Sequence, residues 1–336
     1  MKKTFSILLA AFLLIRPGWA QTRYAGAAME LGVGARPLAL GGAATALVST
    51  GETFYYNPSS LGLLQRPHIN LMYAPTFGSF SEPLASYNYA GAAYPLHGDG
   101  TIAFNWTRYA VDDIPIYPDL SGSSFAERNK DIALRPDGTA LGYIQDVEDV
   151  FYFSFAKTLE SILPLGWWYG DLPITIPLGL NFKLFRQKLG EASATGMGVD
   201  AGLMIKFNLG TLLNQRQLGD LSFGFSLLDM TQTAIIWSTE HKDRIHQTFT
   251  FGASYLQPLW FSQSSLNLYY TYLQKYEQRH LAGMEFAMKS VAIRLGKNDA
   301  GLSAGAGLHW RHFFVDYAFV TNSFQDVHRV SCSISL

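Results

Sequence analysis

From about residue 68 to the C-terminus, apolar and polar residues alternate with a period of two. That period gives each side chain a face of a β-strand. Ile102, Phe104 and Trp106 share one face, opposite Ala103, Asn105 and Thr107. Phe151, Phe153 and Phe155 repeat the pattern, and Leu178, Leu180 and Phe182 oppose Gly179, Asn181 and Lys183. Met197, Val199, Ala201, Leu203 and Ile205 follow, then Leu221, Phe223, Phe225 and Leu227. Phe249 and Phe251, Leu266 to Tyr272, Val291 to Leu295, Leu302 to Leu308, Phe313 to Phe319 and Val330 to Leu336 continue it. The runs predict about 14 strands, an even number within the range of membrane barrels. Short turns are expected at residues 97–100 and 289–290, and longer ones at 159–171 and 208–219. The longest stretch without a strand, residues 109–148, is expected as an extracellular loop.

The second face is rich in Gly, Ser, Thr and Asn and carries isolated charges. Symmetric hairpin register places Lys183 opposite Asp200, Glu285 opposite Arg294, and Asp316 opposite Arg329. Such cross-strand pairs stabilise a sheet by roughly 0.2–1 kcal/mol each. On a lipid face an Arg or Lys would cost about 2–4 kcal/mol at the midplane. The charges therefore belong to the lumen, where they act as structural ion pairs.

Residues 31–61 break the alternation. They are small, apolar and nearly uncharged, with Gly34, Arg36, Gly41 and Gly42 followed by Asn57 and Pro58. A solvated linker would carry more charge and fewer residues such as Phe54, Tyr55 and Tyr56. The expected organisation is a signal peptide over residues 1–20, an N-terminal plug over 21–66 and a barrel over 67–336.

Composition agrees with a membrane barrel. Charged residues make up 15% and aromatics 14% of the 336 residues, and the net charge of −1 gives no field that would attract nucleic acid. Lys2 and Lys3, the apolar run 5–15 and Gly18-Trp19-Ala20 form an export signal with cleavage after Ala20. The apolar run is shorter than the ~20 residues a membrane-spanning helix needs. The expected location is therefore the outer membrane of a Gram-negative-type bacterium, among its lipids. Cys332 is the one cysteine, at an apolar alternation position, and excludes an intrachain disulfide.

The sequence lacks GxSxG, Walker, HExxH and CxxC motifs. Gly196 to Ala201 matches a loose GxGxxA, but it lies inside a strand and opens no helix, so it does not mark a dinucleotide site. His309 and His312 have no companion ligands, and Asp112, Asp113, Asp146, Glu148 and Asp149 lack EF-hand spacing. No enzyme activity, cofactor or metal is expected; calcium at the acidic loop is the lesser alternative to a solvated surface.

Gly34-Ala35-Arg36, Gly41-Gly42-Ala43 and Tyr56-Asn57-Pro58-Ser59-Ser60-Leu61 resemble the GAR…GGA…NPAGL pattern of the PorV/PorQ family, within the FadL-like group of outer-membrane proteins. Residues 183–202, Asp316-Tyr317-Ala318-Phe319 and His328-Arg329-Val330-Ser331 resemble further segments of that family. Ser59-Ser60 replaces Ala-Gly, and Leu336 replaces a terminal aromatic. The resemblance implies a 14-stranded barrel with an N-terminal hatch that includes Asn57 and Pro58. It also implies a leading function in type IX-like protein secretion or surface export, with secreted cargo or machinery proteins as partners. The alternative is a FadL-like channel for long-chain fatty acids or other hydrophobic molecules, contacted by Phe54, Tyr55 and Tyr56.

Overall fold

The computed structural model describes residues 25–48, 51–78, 82–116, 140, 142–166, 170–261, 263–321 and 326–336. The expected signal peptide lies outside them. Strands follow the alternation closely: β1 (His68–Gly78), β2 (Pro83–Pro95), β3 (Gly100–Ile116), β4 (Gly142–Pro164), β5 (Asp171–Leu189), β6 (Ala192–Asn208), β7 (Asp220–Leu228), β8 (Ala234–Trp237) and β9 (Lys242–Arg244). The series continues with β10 (Thr248–Pro258), β11 (Ser264–Gln274), β12 (Gln278–Met288), β13 (Val291–Lys297), β14 (Leu302–Trp310), β15 (Phe313–Val320) and β16 (Val327–Ser335).

All ring pairings are antiparallel. β1 pairs with β16 and β5 with β6, so the ring closes on itself. β8 and β9 form a hairpin laid on β6 through Gly196↔Ile235. Of the 16 strands, the other 14 close the barrel. Closure gives each ring strand a partner on both sides, which a lipid environment demands.

The two faces separate sharply. Leu71 is 53% exposed, Phe153 53% and Phe182 55%, whereas the alternating Asn70, Asn105 and Asn181 are at most 1% exposed. A belt of exposed Phe, Leu and Ile around a closed barrel is what hydrocarbon solvates and water does not. The chain is therefore a transmembrane β-barrel. Below, the lower end is the one where the chain passes into β1 at His68, and the upper end is the opposite one.

Four expectations change in detail. Residues 109–116 and 142–148, expected within the long loop, belong to β3 and β4, and nearly all of the rest of that stretch lies outside the described residues. The turn expected at 159–171 shrinks likewise, because β4 runs to Pro164 and β5 starts at Asp171. Both errors come from polar residues at strand ends, which leave the hydrocarbon and lose the alternation. The β5–β6 turn is Gly190-Glu191, with Leu189 facing Ala192, so Lys183 lies opposite Gly198 and not Asp200. In the last hairpin Asp316 faces Ser331 and Arg329 faces Ala318. Symmetric register placed these two turns one residue away from their true centres.

Candidate functional site

The N-terminal residues 25–66 lie against the inward-facing side of the strands. α1 (Ala35–Ala39) packs on β13 to β16, while the 3-10 turn Pro58–Leu63 packs on β4 to β6. The segment thus crosses the lumen from one wall to the other. Its irregular backbone finds partners on the wall, as a buried backbone must. Ala35 N–H donates to Ser331 Oγ at 2.7 Å, and Ser303 Oγ donates to Ala39 O at 3.1 Å. Ser254 Oγ donates to Ala46 O at 2.9 Å, Asn181 Nδ2 to Phe54 O at 3.1 Å, and Thr158 Oγ1 to Gly62 O at 2.7 Å. The Ser, Thr and Asn of the inner face therefore serve as a docking surface for this segment.

Two glycines show how closely it docks. Gly41 has φ 69°, and a Cβ there would sit 2.7 Å from the Lys297 carbonyl oxygen. At Gly202 a side chain would collide with Asn57 and with Pro58, whose Cδ would be 2.9 Å away. Asn57 and Pro58 also shape the segment itself. The Asn57 side chain caps the turn by accepting from Ser59 N–H at 3.1 Å, with proline in the first turn position. Its Nδ2 donates to Thr45 O at 2.8 Å and to Leu203 O of the wall at 3.3 Å. That wall contact lies where the β5–β6 pairing skips Ile176 and Pro177, and proline has no N–H to give the ladder.

Charge fixes the other side. Arg36 Nε and Nη2 donate to Glu285 Oε2 and Oε1 at 2.9 and 2.8 Å. Arg294 continues the chain to Glu285 at 2.5 Å and to Asp316 at 2.6 Å. Burial works against the Arg36 cation, but Glu285 more than restores it, so the guanidinium holds its proton beyond the ordinary arginine range. Among the described residues Arg329 has no carboxylate partner within ion-pair distance. It is buried, with Nη1 3.5 Å from Gly32 O and its guanidinium 5.6 Å from the Tyr87 ring. Lys183 bridges Asp200 at 2.7 Å and Asp229 at 2.5 Å. Asp229 sits in the bend after β7, and no pattern in the sequence singles it out.

Two cavities flank the segment. The upper one encloses about 760 Å³, floored by Met29, Leu38, Gly41, Tyr55 and Tyr56 and walled by Tyr152. Glu30 and the upper-end residues Lys275 and Arg279 rim it. Lys275 bonds Glu30 at 2.9 Å and Arg279 lies 3.9 Å from it. The lower cavity encloses about 300 Å³ and is bounded by Arg36, Glu285, Arg294, His68, His309 and Phe314. α1 and the following Leu40-Gly41 stand between the two: Arg36 lines the lower space, Leu38 and Gly41 the upper.

Tyr55 and Tyr56 therefore face the upper cavity, while Phe54 does not. Phe54 is fully buried between segment and wall, with ring centroids 5.0 Å from Tyr152 and 5.9 Å from Tyr89. The Tyr56 hydroxyl donates to Val33 O at 2.9 Å, and the Tyr55 hydroxyl donates to Met29 O. Burial pushes both phenols well above their ordinary range, so both stay neutral donors. Elsewhere, Asp149 is taken by Arg108 and Trp106, each at 2.8 Å. His309 stacks on Phe314 with ring centroids 4.1 Å apart. No group of three or more metal-ligating side chains occurs among the described residues.

Fold and site together define a closed transmembrane barrel with an N-terminal segment docked on its inner wall. No protein-family model matches the chain, and no curated protein matches it. Among solved structures it is similar to the Ralstonia pickettii toluene transporter TbuX, with a TM-score of 0.43 and 12% identity over 90% of this chain and 97% of that one. It is also similar to the Pseudomonas putida toluene transporter TodX, with a TM-score of 0.45 and 9% identity over 90% of this chain and 97% of that one. The Acinetobacter baumannii outer membrane protein Omp33 has a TM-score of 0.38 and 10% identity over 82% of this chain and 100% of that one. Neither a family nor a substrate follows from likenesses at these identities.

Proposed function

We propose that this chain is a non-enzymatic channel of the outer membrane in which residues 25–66 act as a hatch, and that its solutes are hydrophobic or amphiphilic molecules such as long-chain fatty acids. The observation that carries the reading is the upper cavity: about 760 Å³, aromatic at its floor, charged at its rim, and shut off from the lower cavity by α1. That volume falls within the range of small-molecule sites, and such sites pair an apolar body with a few placed polar groups. Passage requires α1 to move, and the Arg36–Glu285 ion pair holds it together with the Ala35–Ser331 and Ser303–Ala39 hydrogen bonds.

The test is binding and uptake. The purified barrel in detergent is titrated with a fluorescent long-chain fatty acid, and uptake of labelled oleate is followed in cells carrying the protein. Tyr55→Ala and Tyr152→Ala should each weaken binding about fourfold or more, as expected where even one methylene of the acyl chain loses its apolar cover, worth about 0.8 kcal/mol. Unchanged binding in both variants would overturn the reading.

The sequence pattern over residues 34–61 and 183–202 favours a second reading, a PorV/PorQ-like barrel for protein secretion or surface export. Its partner surface would be the extracellular loop that the sequence leads one to expect within residues 109–148. Purification from native membranes in mild detergent separates the two. Stoichiometric exported protein without lipid enrichment favours secretion, and enriched lipid without protein favours the channel.

A further inference from the structure

The outer face of β11 to β16 is polar in one place only. Reading down its outward positions, β11 gives Leu266, Leu268, Tyr270, Tyr272 and Gln274, and β12 gives Gln278, His280, Ala282, Met284, Phe286 and Met288. β13 gives Val291, Ile293, Leu295 and Lys297, β15 Phe313, Val315, Tyr317 and Phe319, and β16 His328, Val330, Cys332 and Ile334. β14 contributes only Leu302, Ala304, Ala306, Leu308 and Trp310. Every Lys, His and Gln on this face stands at the upper ends of the strands, and no outward position on these six strands is a carboxylate.

The histidines are held in the same way in two separate hairpins. The Tyr270 hydroxyl lies 2.7 Å from His280 Nδ1, and the Tyr317 hydroxyl lies 2.7 Å from His328 Nδ1. In both, the tyrosine sits on the preceding strand, diagonal to the histidine: Tyr272 is the direct partner of His280, and Phe319 that of His328. With the phenol donating to Nδ1, the ring carries its proton on Nε2, and the imidazolium carries one there as well. Each ring then keeps an N–H on Nε2, on the outer face of its strand. Lys297 lies between the two pairs, facing Ala282 of β12 and Leu302 of β14, and its side chain is exposed. The acids nearby belong to turns, and the Asp299 carboxylate already lies 3.4 Å from Arg279.

We propose that this rim, with Lys297 on the strand next to His280 and His328 three strands further round, binds phosphate headgroups of the lipids in the leaflet around the upper end. Donors without acceptors, set at the boundary of an apolar wall, match a group that is anionic outside and apolar below. A lysine at that depth extends its stem along the apolar surface and its ammonium to the headgroups. This surface faces lipid and is separate from the lumen, so it does not depend on the channel reading.

The experiment uses the full barrel in phosphatidylcholine bilayers containing spin-labelled phosphatidic acid or spin-labelled phosphatidylcholine. The protein should retain labelled phosphatidic acid over labelled phosphatidylcholine. The triple variant H280Q/K297Q/H328Q should lose about fivefold or more of that preference, since each basic group near a charged membrane surface is worth about 1 kcal/mol. K297R alone should keep it, and retained heat-modifiable mobility on gels shows that each variant is folded. Equal preference in wild type and triple variant would overturn the proposal. So would displacement of the labelled lipid by inorganic phosphate alone, which would mark a site for free anions rather than for a headgroup.

Discussion

Arg36 and Glu285 lie 249 positions apart and meet in a two-pronged ion pair at 2.8 and 2.9 Å, one on the N-terminal segment and the other on the barrel wall. The pair joins the segment that crosses the lumen to the strand it crosses towards. Arg294 shares the same carboxylate, so loss of Glu285 would strand Arg36 and leave Arg294 with Asp316 alone.

Glu285→Ala should destabilise the barrel by roughly 3–5 kcal/mol, the usual result of removing one partner from a buried pair. Arg36→Met should cost less, because Arg294 still neutralises Glu285, but it should loosen α1, which then rests on its hydrogen bonds to Ser331 and Ser303. Thermal unfolding followed by gel mobility measures the first effect. Single-channel conductance in planar bilayers measures the second, with openings expected in Arg36→Met that wild type lacks.

Lys183 holds two carboxylates, Asp200 and Asp229, at 2.7 and 2.5 Å. Lys183→Met should therefore cost about 3–5 kcal/mol by leaving both charges buried without a cation. The triple change K183M/D200N/D229N should recover most of that loss. A triple variant no more stable than K183M would show that the lysine acts through its packing and not through its charge.

Gly202→Val should displace the Asn57–Pro58 turn from the wall, because the added side chain meets Asn57 and Pro58. Overpacking of this kind costs about 1–3 kcal/mol. Limited proteolysis should then cut within residues 51–66, which wild type protects, while the strands stay intact.

Phe153 and Ser222 test the two faces. Phe153 is 53% exposed on the outer wall and Ser222 4% exposed on the inner one. Phe153→Arg should cost about 2–4 kcal/mol at the midplane and slow insertion into vesicles, whereas Phe153→Leu should insert normally. Tolerance of Phe153→Arg together with failure of Ser222→Arg would mean that the faces are reversed.

The barrel was legible in the sequence because its cause is local. Lipid on one side of a strand and a packed lumen on the other impose a period of two, and most of the ring strands carry it, β2 with Ser86 and Asn88 outward and Tyr87 and Tyr89 inward being an exception. Loop lengths were less legible. Ile114, Ile116 and Tyr143 continue β3 and β4, but the acids around them break the alternation once the strands leave hydrocarbon.

Sequence by itself also determined that residues 31–61 are not strand and not solvated linker, and that Lys183, Asp200, Glu285, Arg294, Asp316 and Arg329 turn away from lipid. Only the tertiary structure decided their partners. Glu285 faces Arg294 in register, yet its second partner, Arg36, comes from the other end of the chain. Asp316 is claimed by Arg294, and Arg329 is left against the Tyr87 ring. Asp229 joins Lys183 from a bend that carries no motif. The physical reason is range: alternation is set by each residue's own strand and solvent, while an ion pair across the lumen depends on hairpin turns, where a shift of one position moves a partner by two.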